Sequence, residues 1–318
     1  MDEVDRALLV ELQRDGRASY AQLGATVGLS GDAVRDRLRR LEADGVLNVV
    51  GVIDPARLGY RSFALVGLRT SGSLEPILAA LVDIDQVDFI VCTAGTAEVV
   101  LEVVCRDDRE LLAVVSERIK TIPGIIFAET FSYLAVAKWM QNGLRARAKA
   151  QLSNGTETVL DDVDRRIAEH LQRQGRAGYQ ELADTMGLPY STVRRRVQNL
   201  ITSGAVQIVT MVDRVAGGLR LVAGVGLRTE GPLAPILAAI EEIDEIEIAV
   251  VTTGSFDLLL EVACRDKEHL VDLVGNRIRA IAGVRASETF TYLHVVKMPL
   301  TWNLPEQTHQ PKHPEGGL

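Results

Sequence analysis

Aromatic residues are scarce in this chain: Phe, Trp and Tyr together make up 4% of its 318 residues. A core without them must rest on Leu, Ile, Val and Ala, and a chain that is 47% apolar and long enough for several domains can supply one. Cysteine is scarcer still. Cys92, Cys105 and Cys264 sit in apolar stretches without C-x-x-C spacing, which reads as core thiols of a reducing compartment. No apolar run approaches the ~20 residues of a membrane-spanning helix. The opening Met1-Asp2-Glu3-Val4-Asp5 is acidic, with neither the basic start nor the apolar stretch of a secretion signal. A cytoplasmic location without a membrane partner is therefore expected. No H-E-x-x-H, G-x-S-x-G or phosphate-loop pattern occurs, and neither a metal nor a cofactor is expected.

What the chain does have is a repeat. Val4-Asp5-Arg6 returns as Val163-Asp164-Arg165, Gly16-Arg17-Ala18 as Gly175-Arg176-Ala177, Cys105-Arg106-Asp107 as Cys264-Arg265-Asp266, and Glu129-Thr130-Phe131 as Glu288-Thr289-Phe290. Every pair lies 159 positions apart, so two modules align without a gap. That period is far beyond the ~20–50 residues of stacked repeats. Between the modules, Gln141 to Thr158 reads as a solvated linker (140–160), and the Pro/Gly-rich stretch at 300–318 as a disordered tail.

Each module opens with three helical patterns. Val4, Leu8, Leu9 and Leu12 share a face, and a second helix runs from Ser19 to Gly28. After the Gly28-Leu29-Ser30 turn, with Ser30 as N-cap, a third helix at 31–43 buries Val34, Leu38 and Leu41. Its other side carries Arg35, Arg37, Arg39 and Arg40. The β-rich stretch from Val46 to Pro55 suits a wing. In the second module Gly187-Leu188-Pro189 forms the turn, and Tyr190, Ser191 and Thr192 open the third helix. Arg194, Arg195, Arg196, Gln198 and Asn199 follow on its open side. Two helices joined by a Gly-containing turn form a helix-turn-helix, whose second helix enters the major groove of double-stranded DNA. The net charge of −8 does not oppose this, because where the bases lie decides. The modules are unequal, since Asp32 and Asp36 stand among the arginines of the first and no acid stands between Tyr190 and Leu200 in the second. Phosphate neutralisation dominates affinity, so the second reader is expected to bind more strongly.

The remainder of the first module predicts strands at 61–70, 87–93, 99–105 and 125–137, with helices at 74–82 and 107–120, Asp107 capping the latter. The order β-α-β-β-α-β is ferredoxin-like, with helices on one face of an antiparallel sheet. The bare face is most simply covered by that of a second copy. The fold class is α+β, with domains at 1–55, 60–139, 161–214 and 219–299.

In this order, the motifs Leu12-Gln13-Arg14-Asp15-Gly16-Arg17, Val27-Gly28-Leu29-Ser30, Val34 to Leu41 and Ile122-Pro123-Gly124-Ile125 resemble the Lrp/AsnC family, the feast/famine regulators that respond to amino acids. The resemblance implies a transcription regulator with winged helix-turn-helix domains and RAM-type effector domains, forming homo-oligomers through the latter. It also implies an effector, an amino acid, at the turn between the middle strands. That turn is Thr253-Gly254-Ser255-Phe256-Asp257 in the second module, close to the family's Gly-Asp-Phe-Asp-Tyr. In the first it is Gly95-Thr96-Ala97-Glu98, which lacks the aromatic residue. A plain hairpin turn is the alternative at both places. Where the usual member is one module that dimerises, this chain implies an internal pseudodimer reading an asymmetric inverted repeat. Two other readings stay open. A similar branch decarboxylates sirohaem-type tetrapyrroles, leaning on histidine and arginine near the strand after the helix-turn-helix, yet Val52-Ile53-Asp54-Pro55 and Val212-Asp213-Arg214 contain no histidine and the five histidines do not recur between modules. The third reading is a sensor that only partners other regulators.

Overall fold

A computed structural model describes residues 1–53, 59–138, 160–212 and 219–297. Nearly all of the expected linker, the tail, and Asp54, Pro55, Asp213 and Arg214 lie outside the described residues. The first module runs α1 (Glu3–Arg14), α2 (Tyr20–Val27), α3 (Gly31–Ala43), β1 (Leu47–Ile53), β2 (Ser62–Thr70), α4 (Leu74–Val82), β3 (Val87–Ala94), β4 (Val99–Cys105), α5 (Asp108–Ala113) and β5 (Ile125–Lys138). The second repeats the order as α6 (Asp162–Arg173), α7 (Tyr179–Met186), α8 (Tyr190–Thr202), β6 (Val206–Val212), β7 (Leu221–Thr229), α9 (Leu233–Glu241), β8 (Ile246–Thr252), β9 (Leu258–Cys264), α10 (Lys267–Asp272) and β10 (Val284–Lys297).

Local chemistry sets the helix ends. The carboxylate of Asp2 accepts from Asp5 N–H while that of Asp5 accepts from Asp2 N–H, a reciprocal cap on α1. Ser19 and Gln22 do the same for α2, and the Ser30 hydroxyl accepts from Ala33 N–H at the start of α3. Gly28 and Gly187 end α2 and α7 in the left-handed region, at φ 72° and 67°, where a side chain would be strained. The single helix expected at 107–120 is capped by Asp107, as read. It changes from α to π winding at Val114 and stays so to Ile119, and α10 repeats the change at Leu273–Ile278.

The two modules are interlocked at both ends. The stretch read as a wing is a single strand in each module, and its partner belongs to the other: β1 pairs antiparallel with β6, from Leu47 opposite Val212 to Ile53 opposite Val206. Ile53 is buried in the core of the second three-helix unit, and Ile208 and Val212 pack into that of the first. The remaining eight strands close into a barrel in the order β10-β3-β4-β2-β5-β8-β9-β7. The bare sheet face is thus covered by the second module of the same chain. Strands β5 and β10 begin in their own sheet and finish in the other, with Tyr133 opposite Thr252 and Tyr292 opposite Thr93. Leu134 and Leu293 are the extra residues of matching bulges there. Each helix-covered core takes residues from the opposite module, Val296 in one and Ala135 and Ala137 in the other. A third cluster of Phe131, Val136, Val250, Phe256, Leu259 and Phe290 fills the barrel between the sheets.

Candidate nucleic-acid interface and effector turns

The helices α3 and α8 bury Val34, Leu38 and Leu41, and Val193, Val197 and Leu200, against their own units. Their opposite faces are open. On α3, Asp32, Asp36, Arg39 and Arg40 are exposed and Arg35 is half-buried, with Ser30 exposed at the start. On α8, Tyr190, Ser191, Arg194, Arg195, Gln198 and Asn199 are exposed and Thr192 is half-buried.

Two of the residues expected to face DNA are employed elsewhere. Arg37 lies 2.6 Å from Asp2 and 2.7 Å from Asp5, and Arg196 lies 2.7 Å from Asp161 and 2.8 Å from Asp164. Each guanidinium ties the third helix to the N-terminal cap of the first. Its charge is spent on two carboxylates and is withdrawn from the face expected to meet DNA. The bond from Asp5 N–H, then Arg37, holds the Asp2 carboxyl down to about 2. Helical periodicity alone gave no sign of this, but the recurrence of Asp2, Asp5 and Arg37 as Asp161, Asp164 and Arg196 carries the signal.

The two open faces are fixed relative to one another. Arg17 donates to the carbonyls of Gly175 and Ala177, and Arg176 to those of Gly16 and Ala18, at 2.7–3.0 Å. Each guanidinium also covers a ring of the opposite unit, Arg17 that of Tyr179 and Arg176 that of Tyr20. The Thr210 hydroxyl donates to the Leu12 carbonyl at 2.6 Å. At Gly51, the position equivalent to Thr210, a Cβ would stand 2.9 Å from the Leu171 carbonyl carbon, so the backbones touch.

The turns expected to hold an effector lie on the seam between modules. Asp257 Oδ2 accepts from Thr229 N–H at 2.6 Å and its hydroxyl at 3.2 Å, and Glu98 Oε2 accepts from Thr70 N–H at 2.8 Å. Each carboxylate therefore latches its turn to the end of a neighbouring strand. The turns also reach across: Thr96 bonds Glu288, and Ser255 N–H donates to Glu129 at 3.1 Å. Phe256 stacks on Phe131, meets Phe290 edge-on, and lies under the Arg228 guanidinium, which donates to Ser255 O. In the first module Ala97 holds the place of Phe256, facing Gly67 at ordinary contact distance, whereas Gly226 lies directly against the Phe256 ring. Gly95 and Gly254 lie against Phe290 and Phe131 of the opposite module. Glu129 and Glu288 are the residues that sequence reasoning missed here, although both sit in a motif repeated between modules.

Other reactive groups are scattered. Burial pushes the Cys105 thiol up to about 12 and that of Cys264 to about 11, which keeps them protonated. His170 faces Glu181 and His269 faces Glu245, while His294 is exposed on β10. Among the described residues no group of three or more His, Cys, Asp or Glu could hold a metal ion, and no helix is long and apolar enough to cross a membrane.

Two family models match the chain, each of them twice. The AsnC-type helix-turn-helix domain matches residues 1–42 and 160–201, and the Lrp/AsnC ligand binding domain residues 63–140 and 222–301. An HTH-type transcriptional regulator of Pyrococcus abyssi is 30% identical over 149 residues, covering 46% of this chain and 94% of that protein. One of Mycobacterium tuberculosis is 36% identical over 137 residues, covering 42% of this chain and 92% of that protein. Each relative thus has the length of one module. Among solved structures, the siroheme decarboxylase NirDL is similar across 93% of both chains, with a TM-score of 0.67 and 14% identity. That likeness is one of fold.

Proposed function

The chain belongs to the Lrp/AsnC family of helix-turn-helix regulators, and from that premise we propose that it is a sequence-specific transcription regulator carrying both DNA readers of a dimer on one polypeptide. Its operator is an imperfect inverted repeat, with half-sites one helical turn or a multiple apart (~34–36 Å per turn). The observation that carries this reading is the union of the two three-helix units through the β1–β6 ladder and the reciprocal Arg17 and Arg176 contacts. That union presents α3 and α8 as a pair. Ser30, Arg35, Arg39 and Arg40 meet one half-site. Tyr190, Ser191, Thr192, Arg194, Arg195, Gln198 and Asn199 meet the other.

The small-molecule effector is an amino acid held at the seam turns, by Gly95, Thr96 and Glu98 in one module and Thr253 to Asp257 in the other. Backbone N–H groups and a carboxylate there suit an amino acid's two charges. A ligand at either turn competes with contacts to Glu129 or Glu288 of the opposite module, and so bears on how the modules sit together. Association of whole chains through the sensor domains belongs to the same reading. The closed barrel has no free strand edge, so exposed side chains such as Phe127 and Leu134 carry that contact.

The test is fluorescence anisotropy of the chain on its own upstream intergenic DNA, over a salt series, with and without a panel of amino acids. Tight binding that weakens steeply with salt and shifts with one amino acid supports the reading. Only weak, sequence-indifferent binding with every ligand opposes it.

A further inference from the structure

The two recognition helices differ most over their first two turns, the part of such a helix that meets base edges. On α3 the open positions there are Asp32, Arg35 and Asp36. The same positions on α8 are Ser191, Arg194 and Arg195. Arg35 Nη2 lies 3.0 Å from Asp32 Oδ1, and its Nε 3.7 Å from Asp36 Oδ1. The two carboxylates are 82% and 71% exposed and the Arg35 side chain 40%. Exposed pairs of this kind add little to stability, and on a surface that meets phosphates two carboxylates oppose affinity. What they do supply is orientation. An arginine with many rotamers is steered by Asp32 through Nη2 alone, since Asp36 lies beyond hydrogen-bond reach and Nε has no hydrogen-bond partner, and the Nη1 side is left for a partner. Arginine bidentate to guanine O6 and N7 is the commonest specific base contact, and a carboxylate accepts from cytosine N4. Arg194 lacks such a brace, since its neighbours are a hydroxyl and a second arginine, and it makes no ion pair among the described residues.

We propose that α3 and α8 read different bases, with Arg35 as a guanine reader and Asp32 as the residue that positions it. This rests on the chain being a DNA-binding regulator. The half-site under α3 carries a fixed guanine, and the matching position under α8 tolerates substitution. Asp36 reinforces the difference by accepting from a neighbouring cytosine. The acids of the first reader thus exchange affinity for discrimination.

The experiment is selection of random duplexes by the full chain, followed by anisotropy on the selected duplex and its single-base variants. The proteins are the wild type, Arg35→Ala, Asp32→Asn, and the double variant Asp32→Ser with Asp36→Arg, all changed at surface positions that leave the core and the Ser30 cap intact. The wild type is expected to select an inverted repeat with guanine fixed in one half only. Arg35→Ala loses that preference. Asp32→Asn binds the selected duplex as well or better, but its preference for guanine at that position falls about tenfold. The double variant selects a more symmetric repeat. If Asp32→Asn strengthens binding to every duplex equally and leaves the guanine preference intact, Asp32 acts by charge alone and the proposal is overturned. Equal guanine preference in both halves of the wild-type site overturns it too, with the regulator reading untouched. Selection of no sequence at any salt overturns both together.

Discussion

Arg17 donates to the carbonyls of Gly175 and Ala177 and lies 5.1 Å above the ring of Tyr179 in the other module. Arg176 returns the contact to Gly16, Ala18 and Tyr20. The arginine stands at the end of the first helix and reaches across to the matching corner, so the pair works as a two-point clasp. Because both halves are on one chain, the clasp closes without a concentration-dependent step.

Removing one side of that clasp should weaken the reader pair. Arg17→Ala forfeits two charge-assisted bonds to half-buried carbonyls, an expected loss of about 2–3 kcal/mol. Urea unfolding of wild type and variant measures it, and a change below about 0.5 kcal/mol contradicts the assignment.

The two sensor turns should answer differently to the same substitution. At Gly226 a Cβ would lie 2.7 Å from the Phe256 ring, whereas at Gly67 the nearest atom is the Ala97 Cβ at 3.5 Å. Gly226→Ala is expected to destabilise by about 1–3 kcal/mol and Gly67→Ala by much less. Adding Phe256→Ala to Gly226→Ala should relieve the clash, so a double-mutant cycle shows strong coupling. Additive effects would mean that the ring is free to move aside.

The cap on α1 should be sensitive to acid. Asp2 titrates at about 2 in the fold against an ordinary value of 3.8, first through the Asp5 N–H and then through Arg37. The unfolded chain therefore takes up this proton first. The stabilisation is complete above about pH 4 and is lost as the pH falls through about 2. Arg37→Gln should raise the Asp2 value only part of the way, since the backbone bond remains. Carboxyl chemical shifts followed by NMR over that range decide, and an unchanged Asp2 in the variant contradicts the pairing.

A second acid-sensitive point belongs to one module alone. Glu245 is held down to about 2, from 4.5, chiefly by Arg277 at 2.5 Å, with His269 also bonded to it. In the first module Gln86, Arg118 and Glu110 occupy the same three positions, with the acid moved to the helix. On acidification from about pH 4.5 to 2, amide exchange should therefore rise around α10 as this ion pair is lost. Glu245→Gln should remove that dependence. Its persistence would assign the acid response elsewhere.

Much of this architecture is legible in the sequence because it is local. Ser19, Ser30 and Asp107 announce helix starts by residue type, and Gly28 and Gly187 announce turns by their left-handed backbone. Short apolar stretches mark the sensor strands of the first module, and the 159-residue offset gives the duplication directly. What the sequence does not show is which strand meets which. Nothing in Val49 to Ile53 says that the partner is β6 in the other module, because an apolar strand pairs as well within a hairpin as across one. The same limit hid the roles of Arg37 and Arg196. A helix wheel puts them towards solvent, and the carboxylates they meet lie about thirty positions upstream. At the sensor turns the sequence marked Glu98 and Asp257 as ligand groups, while the fold employs one oxygen of each as a latch.

The central claim is that one chain engages two unlike half-sites with two unlike helices. The most direct test is the affinity of the full chain for its selected operator against two duplexes in which one half-site or the other is scrambled. The account predicts that both changes weaken binding, and that scrambling the half under α3, where Arg35 reads a fixed guanine, weakens it more, since the phosphate contacts that α8 favours are indifferent to base sequence. An affinity indifferent to one of the two scrambled halves would contradict it, because only one reader would then be at work.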